Sequence, residues 1–154
     1  LVAVQRKYGW KSLAVFVVCF VLSMGLADML CGVFKHTGLL KNLWESFPAR
    51  NRPMFDLAVR DLAHVVSYAH GPYGTVSAHA ATTVALAWIS ALAIGKKWYN
   101  WVIGVSVLLI CYSRIYLACH FPQDILLGAT VGIMAGIVGV MLFRAGLRLQ
   151  KRKC

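Results

Sequence analysis

Residues 12–34 read SLAVFVVCFVLSMGLADMLCGVF, a run of 23 residues with one charge, at Asp28. A helix rises about 1.5 Å per residue, so this run is long enough to cross the ~30 Å hydrocarbon core of a bilayer. It is too long for the apolar part of a signal peptide, and further apolar runs follow it. The stretch therefore predicts a membrane-spanning helix.

Three more runs of spanning length follow, at residues 76–95, 99–117 and 124–143, and each has few or no charges in its middle. Of the 154 residues, 60% are hydrophobic and 14% are charged, and the mean hydropathy is +0.69. The hydrophobic fraction is higher, and the charged fraction lower, than is usual for a soluble enzyme or a disordered chain. We predict an all-α polytopic membrane helix bundle with four spans, folded as one domain over residues 1–154.

The net charge of +11 is concentrated near the chain ends and in one short loop. The residues concerned are Arg6, Lys7, Lys11, Lys96, Lys97, Arg144, Arg148, Lys151, Arg152 and Lys153. Because cytoplasmic loops of membrane proteins are enriched in Lys and Arg, this distribution favours a membrane protein over a nucleic-acid partner. It places both termini in the cytoplasm, and the loop 35–75 and the turn near residues 114–124 on the extracytoplasmic side.

Two further patterns concern packing. Residues 54–69 place apolar side chains at helical spacing, which predicts a short amphipathic helix on the membrane surface. Gly128, Gly132 and Gly136 recur every fourth residue, and small residues at this spacing let a second helix approach closely. That second helix is either another span of the same chain or a second copy in a homo-oligomer.

The polar residues that could bind a ligand or take part in catalysis lie at the predicted extracytoplasmic ends of the spans. Residues 113–124 read SRIYLACHFPQD. If helical, His120 and Asp124 share a face. A carboxylate bonded to one ring nitrogen leaves the other nitrogen nucleophilic, and Arg114 adds donors that suit phosphate oxygens. A structural His capped by Asp is the alternative interpretation.

Two other clusters point to the same face. Ser77, Ala78 and His79 open a span, where free backbone N–H groups favour an anion; a plain N-cap is the alternative. Lys35 and Arg52 could supply positive charge, or contact lipid headgroups instead. Cationic neighbours disfavour a metal at His and Asp, and the five cysteines form no CxxC pair. No metal or cofactor is expected.

These motifs resemble the type 2 phosphatidic acid phosphatase superfamily. Residues 113–124 match its third signature, S-R-x5-H-x3-D; residues 77–79 resemble its second, P-S-G-H, with Val76 and Ala78 in place of Pro and Gly. Lys35 with Arg52 resembles the first, K-x6-R-P, with a longer interval; Lys41 is the other candidate. Membrane members typically have six spans, so we expect two spans ahead of Leu1.

The resemblance implies a metal-independent phosphatase that forms a phospho-histidine. It assigns nucleophilic attack to His120, orientation of His120 to Asp124, and protonation of the leaving group to His79. Phosphate binding is assigned to Lys35, Arg52, Ser77, Ala78 and Arg114.

A lipid phosphate in the bacterial inner membrane is the expected substrate, reached from the extracytoplasmic face. Undecaprenyl diphosphate and lipid A are favoured over phosphatidylglycerol phosphate and phosphatidic acid. A non-catalytic phospholipid-binding or transport protein is the rival interpretation. A transporter, however, would carry charges along a path through the membrane, whereas these spans are nearly uncharged.

Overall fold

The structure, a computed structural model, describes residues 1–63, 65 and 71–152. It has five α-helices in these ranges, together with one turn of 3-10 helix at Pro53–Phe55. The helices are α1 (Val2–Tyr8), α2 (Trp10–Val33), α3 (Ala78–Ile94), α4 (Lys97–Tyr116) and α5 (Pro122–Arg152). This confirms the all-α membrane-type bundle.

By length and composition, α2, α4 and α5 can each cross a membrane. The remaining predicted span corresponds to α3, a shorter apolar helix of 17 residues. Its ends follow from local chemistry. The Ser77 side chain accepts a hydrogen bond from the Ala80 N–H at the start, and Gly95 adopts the left-handed conformation (φ 68°) that ends the helix.

Helix α3 lies at the centre of the bundle, between α2, α4 and α5. Its small residues Ala80, Ala81 and Ala85 are fully buried. Within the described part of the chain, helix α4 packs mainly on α3 and has no buried residue, so most of its apolar surface faces outward. Short connections make α3, α4 and α5 antiparallel in turn.

The predicted amphipathic helix over residues 54–69 is wrong for the described part of that range. Residues 57–62 form turns after the 3-10 helix, and residues 64 and 66–69 lie outside the described residues. The physical reason is local. The Asp56 carboxylate accepts a hydrogen bond from the Ala58 N–H at 2.9 Å, and the Asp56 backbone is extended, which competes with helix formation.

The glycine repeat of α5 packs within the chain. A Cβ added at Gly128 would overlap the Ser77 carbonyl oxygen, and one at Gly132 would overlap the Ala81 carbonyl oxygen. Gly136 meets the Trp88 side chain in the same way. The stripe therefore lets α5 approach the backbone of α3, and this approach sets the position of Ser77 relative to the start of α5.

We expect Gly132→Ala to lower the free energy of unfolding by about 1–3 kcal/mol, because the new methyl group must displace helix backbone. Thermal unfolding in detergent, followed by tryptophan fluorescence, measures the change. Gly25→Ala is the matched control, since a Cβ there meets no heavy atom within 4 Å. It should be neutral or stabilising by up to about 1 kcal/mol. Equal destabilisation by both changes would contradict this account of the stripe.

Candidate active site

The polar residues converge where α2 and α4 end and where α3 and α5 begin. The Ser77 N–H donates to the Asp124 carbonyl oxygen at 3.0 Å, which joins the first turns of α3 and α5. The ring of His79 lies within electrostatic range of Arg114, His120, Lys35 and Arg52. Residues up to 89 positions apart along the chain, Lys35 and Asp124, therefore share one end of the bundle.

His120 is buried, with 2% of its surface exposed. Its Nδ1 lies 2.9 Å from the Gly74 carbonyl oxygen. Because a carbonyl oxygen only accepts, Nδ1 carries the proton and Nε2 keeps its lone pair. The His120 backbone N–H donates to the Arg114 carbonyl oxygen at 3.3 Å. The ring is thus fixed in the tautomer that a nucleophilic Nε2 requires.

Asp124 is fully buried, and both of its carboxylate oxygens have partners. Oδ2 accepts the Phe121 N–H at 2.8 Å, which caps the start of α5, and Oδ1 pairs with the Arg50 guanidinium. His120 Nδ1 lies 3.7 Å from Oδ2, beyond hydrogen-bond distance. The hydrogen bond that orients the imidazole therefore goes to Gly74, and Asp124 acts on His120 by its charge.

Sequence reasoning missed Gly74, and it missed the pairing of Arg50 with Asp124. The Arg50 N–H donates to Thr75 Oγ1 and the Gly74 N–H donates to the Arg50 carbonyl oxygen, both at 2.9 Å. These bonds hold the Gly74 carbonyl beside His120. No local signal marks either residue, because Gly74 and Arg50 lie 46 and 74 positions from their partners His120 and Asp124.

There is also little room for a side chain at Gly74. An added Cβ would lie 2.7 Å from Arg52 Cγ and 3.3 Å from the Cys119 carbonyl oxygen. Glycine here allows Arg52 and the turn before His120 to close around the same carbonyl group.

The start of α3 offers donors to an anion. Ser77 is fully buried, and its Oγ accepts from the Ala80 N–H at 3.3 Å, so the N-cap role is present. The next two backbone N–H groups, of Ala78 and His79, have no hydrogen-bond partner among the residues that the structure describes. Such groups at a helix N-terminus favour negative charge.

Lys35 follows α2 and is buried, with 8% of its surface exposed. Burial lowers the pKa of its ammonium group, and the neighbouring Arg52 charge acts in the same direction. Within the described part of the chain its Nζ has no hydrogen-bond acceptor or ion-pair partner. Lys41 is exposed. A buried cation without a partner favours a bound anion.

Arg52 and Arg114 supply the remaining positive charge. The Arg52 Nε donates to the Gly71 carbonyl oxygen at 3.1 Å, and the Arg114 Nε donates to Ser113 Oγ at 3.2 Å. Arg52 Nη1 also donates to the Cys119 carbonyl oxygen at 3.5 Å. The other donors of each planar guanidinium are suited to phosphate oxygens.

A cavity of about 290 Å³ opens beside His120. Its lining is largely apolar and includes Val59, Leu62, Ile115 and Phe121. The site thus combines a nucleophilic imidazole, cationic groups and free N–H donors with an apolar recess, a combination that suits a phosphorylated molecule with an apolar part.

The sequence is similar to a known protein family and to two curated proteins. The model of the PAP2 superfamily matches residues 16–147. The lipid A 4'-phosphatase of Porphyromonas gingivalis is 34% identical over 141 residues, which cover 90% of this chain and 55% of that protein. The lipid A 4'-phosphatase of Bacteroides thetaiotaomicron is 29% identical over 132 residues, covering 85% and 55%. The chain spans about half the length of these curated relatives. No solved structure shows a significant match.

Proposed function

Because this chain belongs to the PAP2 superfamily, we propose that it hydrolyses a phosphate monoester of a bacterial membrane lipid, with lipid A as the first candidate. The observation that carries the proposal is the convergence of His120, His79 and Lys35 at one end of the bundle, with an apolar cavity beside His120. The names of the two relatives favour lipid A over undecaprenyl diphosphate. Phosphatidylglycerol phosphate and phosphatidic acid are further candidates for the same chemistry.

In the first step, the Nε2 lone pair of His120 attacks phosphorus, and the P–N bond forms as the bond to the lipid oxygen breaks. His79 donates a proton to that leaving oxygen. The phosphorylated imidazole is positively charged, and the Asp124 carboxylate at 3.7 Å from Nδ1 stabilises that charge. The Gly74 carbonyl keeps the ring aligned.

In the second step, water attacks the phosphorus, His79 accepts a proton from it, and the P–N bond breaks to release phosphate. In both steps, cationic side chains and free backbone N–H groups stabilise the charge on the phosphoryl oxygens. The side chains are those of Lys35, Arg52 and Arg114, and the N–H groups are those of residues 78 and 79. These cations occupy the role that a metal has in other phosphatases. The reaction as proposed is therefore metal-independent.

The bundle is proposed to lie in the bacterial inner membrane with this end on the extracytoplasmic face. The positive residues of the opposite end then face the cytoplasm. In that placement the phosphate of a lipid headgroup reaches the site at the membrane surface, and the cavity beside His120 accepts the adjoining apolar part of the lipid.

The test is phosphate release by the purified protein in detergent with EDTA present. Lipid A, undecaprenyl diphosphate, phosphatidylglycerol phosphate and phosphatidic acid are offered in turn, and mass spectrometry identifies the product. We expect release from lipid A to be fastest and unaffected by EDTA. Release from none of the four by folded protein would overturn the proposal and favour a non-catalytic phospholipid-binding protein.

A further inference from the structure

The end of the bundle opposite the candidate active site contains an open cleft of about 1010 Å³. It lies between the bend at Gly9, where α1 meets α2, and the last turns of α5. Ser12 and Gln150 are hydrogen-bonded at 2.8 Å across its base, which fixes α2 to α5 there. Tyr8 and Trp10 contribute aromatic surface to the wall.

Five cationic side chains line this cleft: Lys7, Lys11, Arg144, Arg148 and Lys151. Arg144, Arg148 and Lys151 are four and three residues apart on α5 and therefore share one face of the helix. All five are exposed. The Lys7 Nζ is held in place by a hydrogen bond to the Ala93 carbonyl oxygen at 3.0 Å.

The chain supplies no acidic side chain to neutralise this charge. Its acidic residues are Asp28, Glu45, Asp56, Asp61 and Asp124. Residues 1–27 and 125–154 thus contain none. Like charges on adjacent turns of one helix repel each other, so an anion from outside the chain would stabilise the cleft.

We propose that this cleft binds the headgroup of an anionic phospholipid. Trp10, 73% exposed at the rim, suits the boundary between headgroups and acyl chains. Beyond it on α2, the exposed Val17 and Val18 give an acyl chain an apolar surface to lie on. Basic pockets at the cytoplasmic side of helix bundles bind such headgroups. The inference rests on the proposed membrane position and is independent of the proposed catalysis.

The experiment measures binding of phosphatidylglycerol and of phosphatidylcholine to the purified protein in neutral detergent, by native mass spectrometry and by thermal unfolding. We expect phosphatidylglycerol to bind and to raise the melting temperature. The triple variant Arg144→Gln/Arg148→Gln/Lys151→Gln should bind it about 100-fold more weakly, since each cation contributes about fivefold.

The matched control is Lys96→Gln/Lys97→Gln/Arg152→Gln, which removes three charges from the same end of the bundle but none from the lining of the cleft. It should weaken binding by no more than about fivefold. Should the first triple variant fail to fold, Arg148→Gln is compared with Arg152→Gln. We then expect only Arg148→Gln to weaken binding, by about fivefold.

Three results would overturn the proposal. In the first, the wild type binds phosphatidylglycerol no better than phosphatidylcholine. In the second, both triple variants lose the same affinity for phosphatidylglycerol. In the third, inorganic phosphate stabilises the protein as much as phosphatidylglycerol does, which would indicate a site for small anions. Phosphate release from the lipid substrate in neutral detergent should be unchanged in both triple variants, so a failure of this proposal is distinguishable from a failure of the proposed catalysis.

Discussion

His120→Ala is expected to lower phosphate release from the lipid substrate by about 10⁴-fold or more, because it removes the proposed nucleophile. Burst experiments with labelled substrate should show an acid-labile, alkali-stable phosphate on the wild-type protein and none on the variant. A variant that keeps more than about a tenth of the wild-type rate would exclude a covalent role for His120.

Two further histidine variants test whether the loss of activity is specific to His120. His36→Ala removes an imidazole at the same end of the bundle, where Nε2 contacts the Phe47 carbonyl oxygen at 2.9 Å. It should cost less than about tenfold, because that ring has no part in the proposed chemistry. His79→Ala should cost about 10²–10⁴-fold with a lipid substrate. With an aryl phosphate, whose leaving group needs no proton, formation of the phospho-histidine should be affected much less, whereas its hydrolysis should still be slowed.

Arg50→Gln and Asp124→Asn are each expected to lower the free energy of unfolding by about 2–4 kcal/mol, since each breaks an ion pair that contains a fully buried carboxylate. Each should also lower phosphate release by at least about 10²-fold. Loss of the Arg50 guanidinium leaves the buried Asp124 carboxylate without its ion-pair partner, and loss of the Asp124 charge destabilises the phosphorylated His120. Denaturation in detergent and steady-state kinetics measure the two effects.

The double variant tests whether Arg50 and Asp124 act as a pair. We expect it to be little less stable than either single variant, because the second change removes no further part of the ion pair. Arg60→Gln is the control: Arg60 lies 3.5 Å from the exposed carboxylate of Asp61, and such surface pairs contribute about 0–1 kcal/mol. Additive losses in the double variant would show that Arg50 and Asp124 act independently.

The helices were predictable from sequence because hydropathy and helix caps are local properties. The span predicted at residues 12–34 corresponds to helix Trp10–Val33 in the structure. Helix α5 begins at Pro122, a residue type that is common in the first turn of a helix. The stretch at residues 54–63 was mispredicted because apolar spacing alone does not reveal the Asp56 turn. The close packing predicted for Gly128 and Gly132 is present within the chain.

The class of fold and the candidate catalytic residues are predictable from the sequence, because apolar runs, the spacing of His120 and Asp124, and the placement of charges are features of the chain itself. The contacts that hold those residues are visible only in the folded protein. There, His120 donates its orienting hydrogen bond to the Gly74 carbonyl group, and Asp124 pairs with Arg50. The physical reason is that these partners are far apart along the chain. The Gly74 carbonyl group is like any other backbone carbonyl in the sequence, and it meets His120 only because α3 packs against α5.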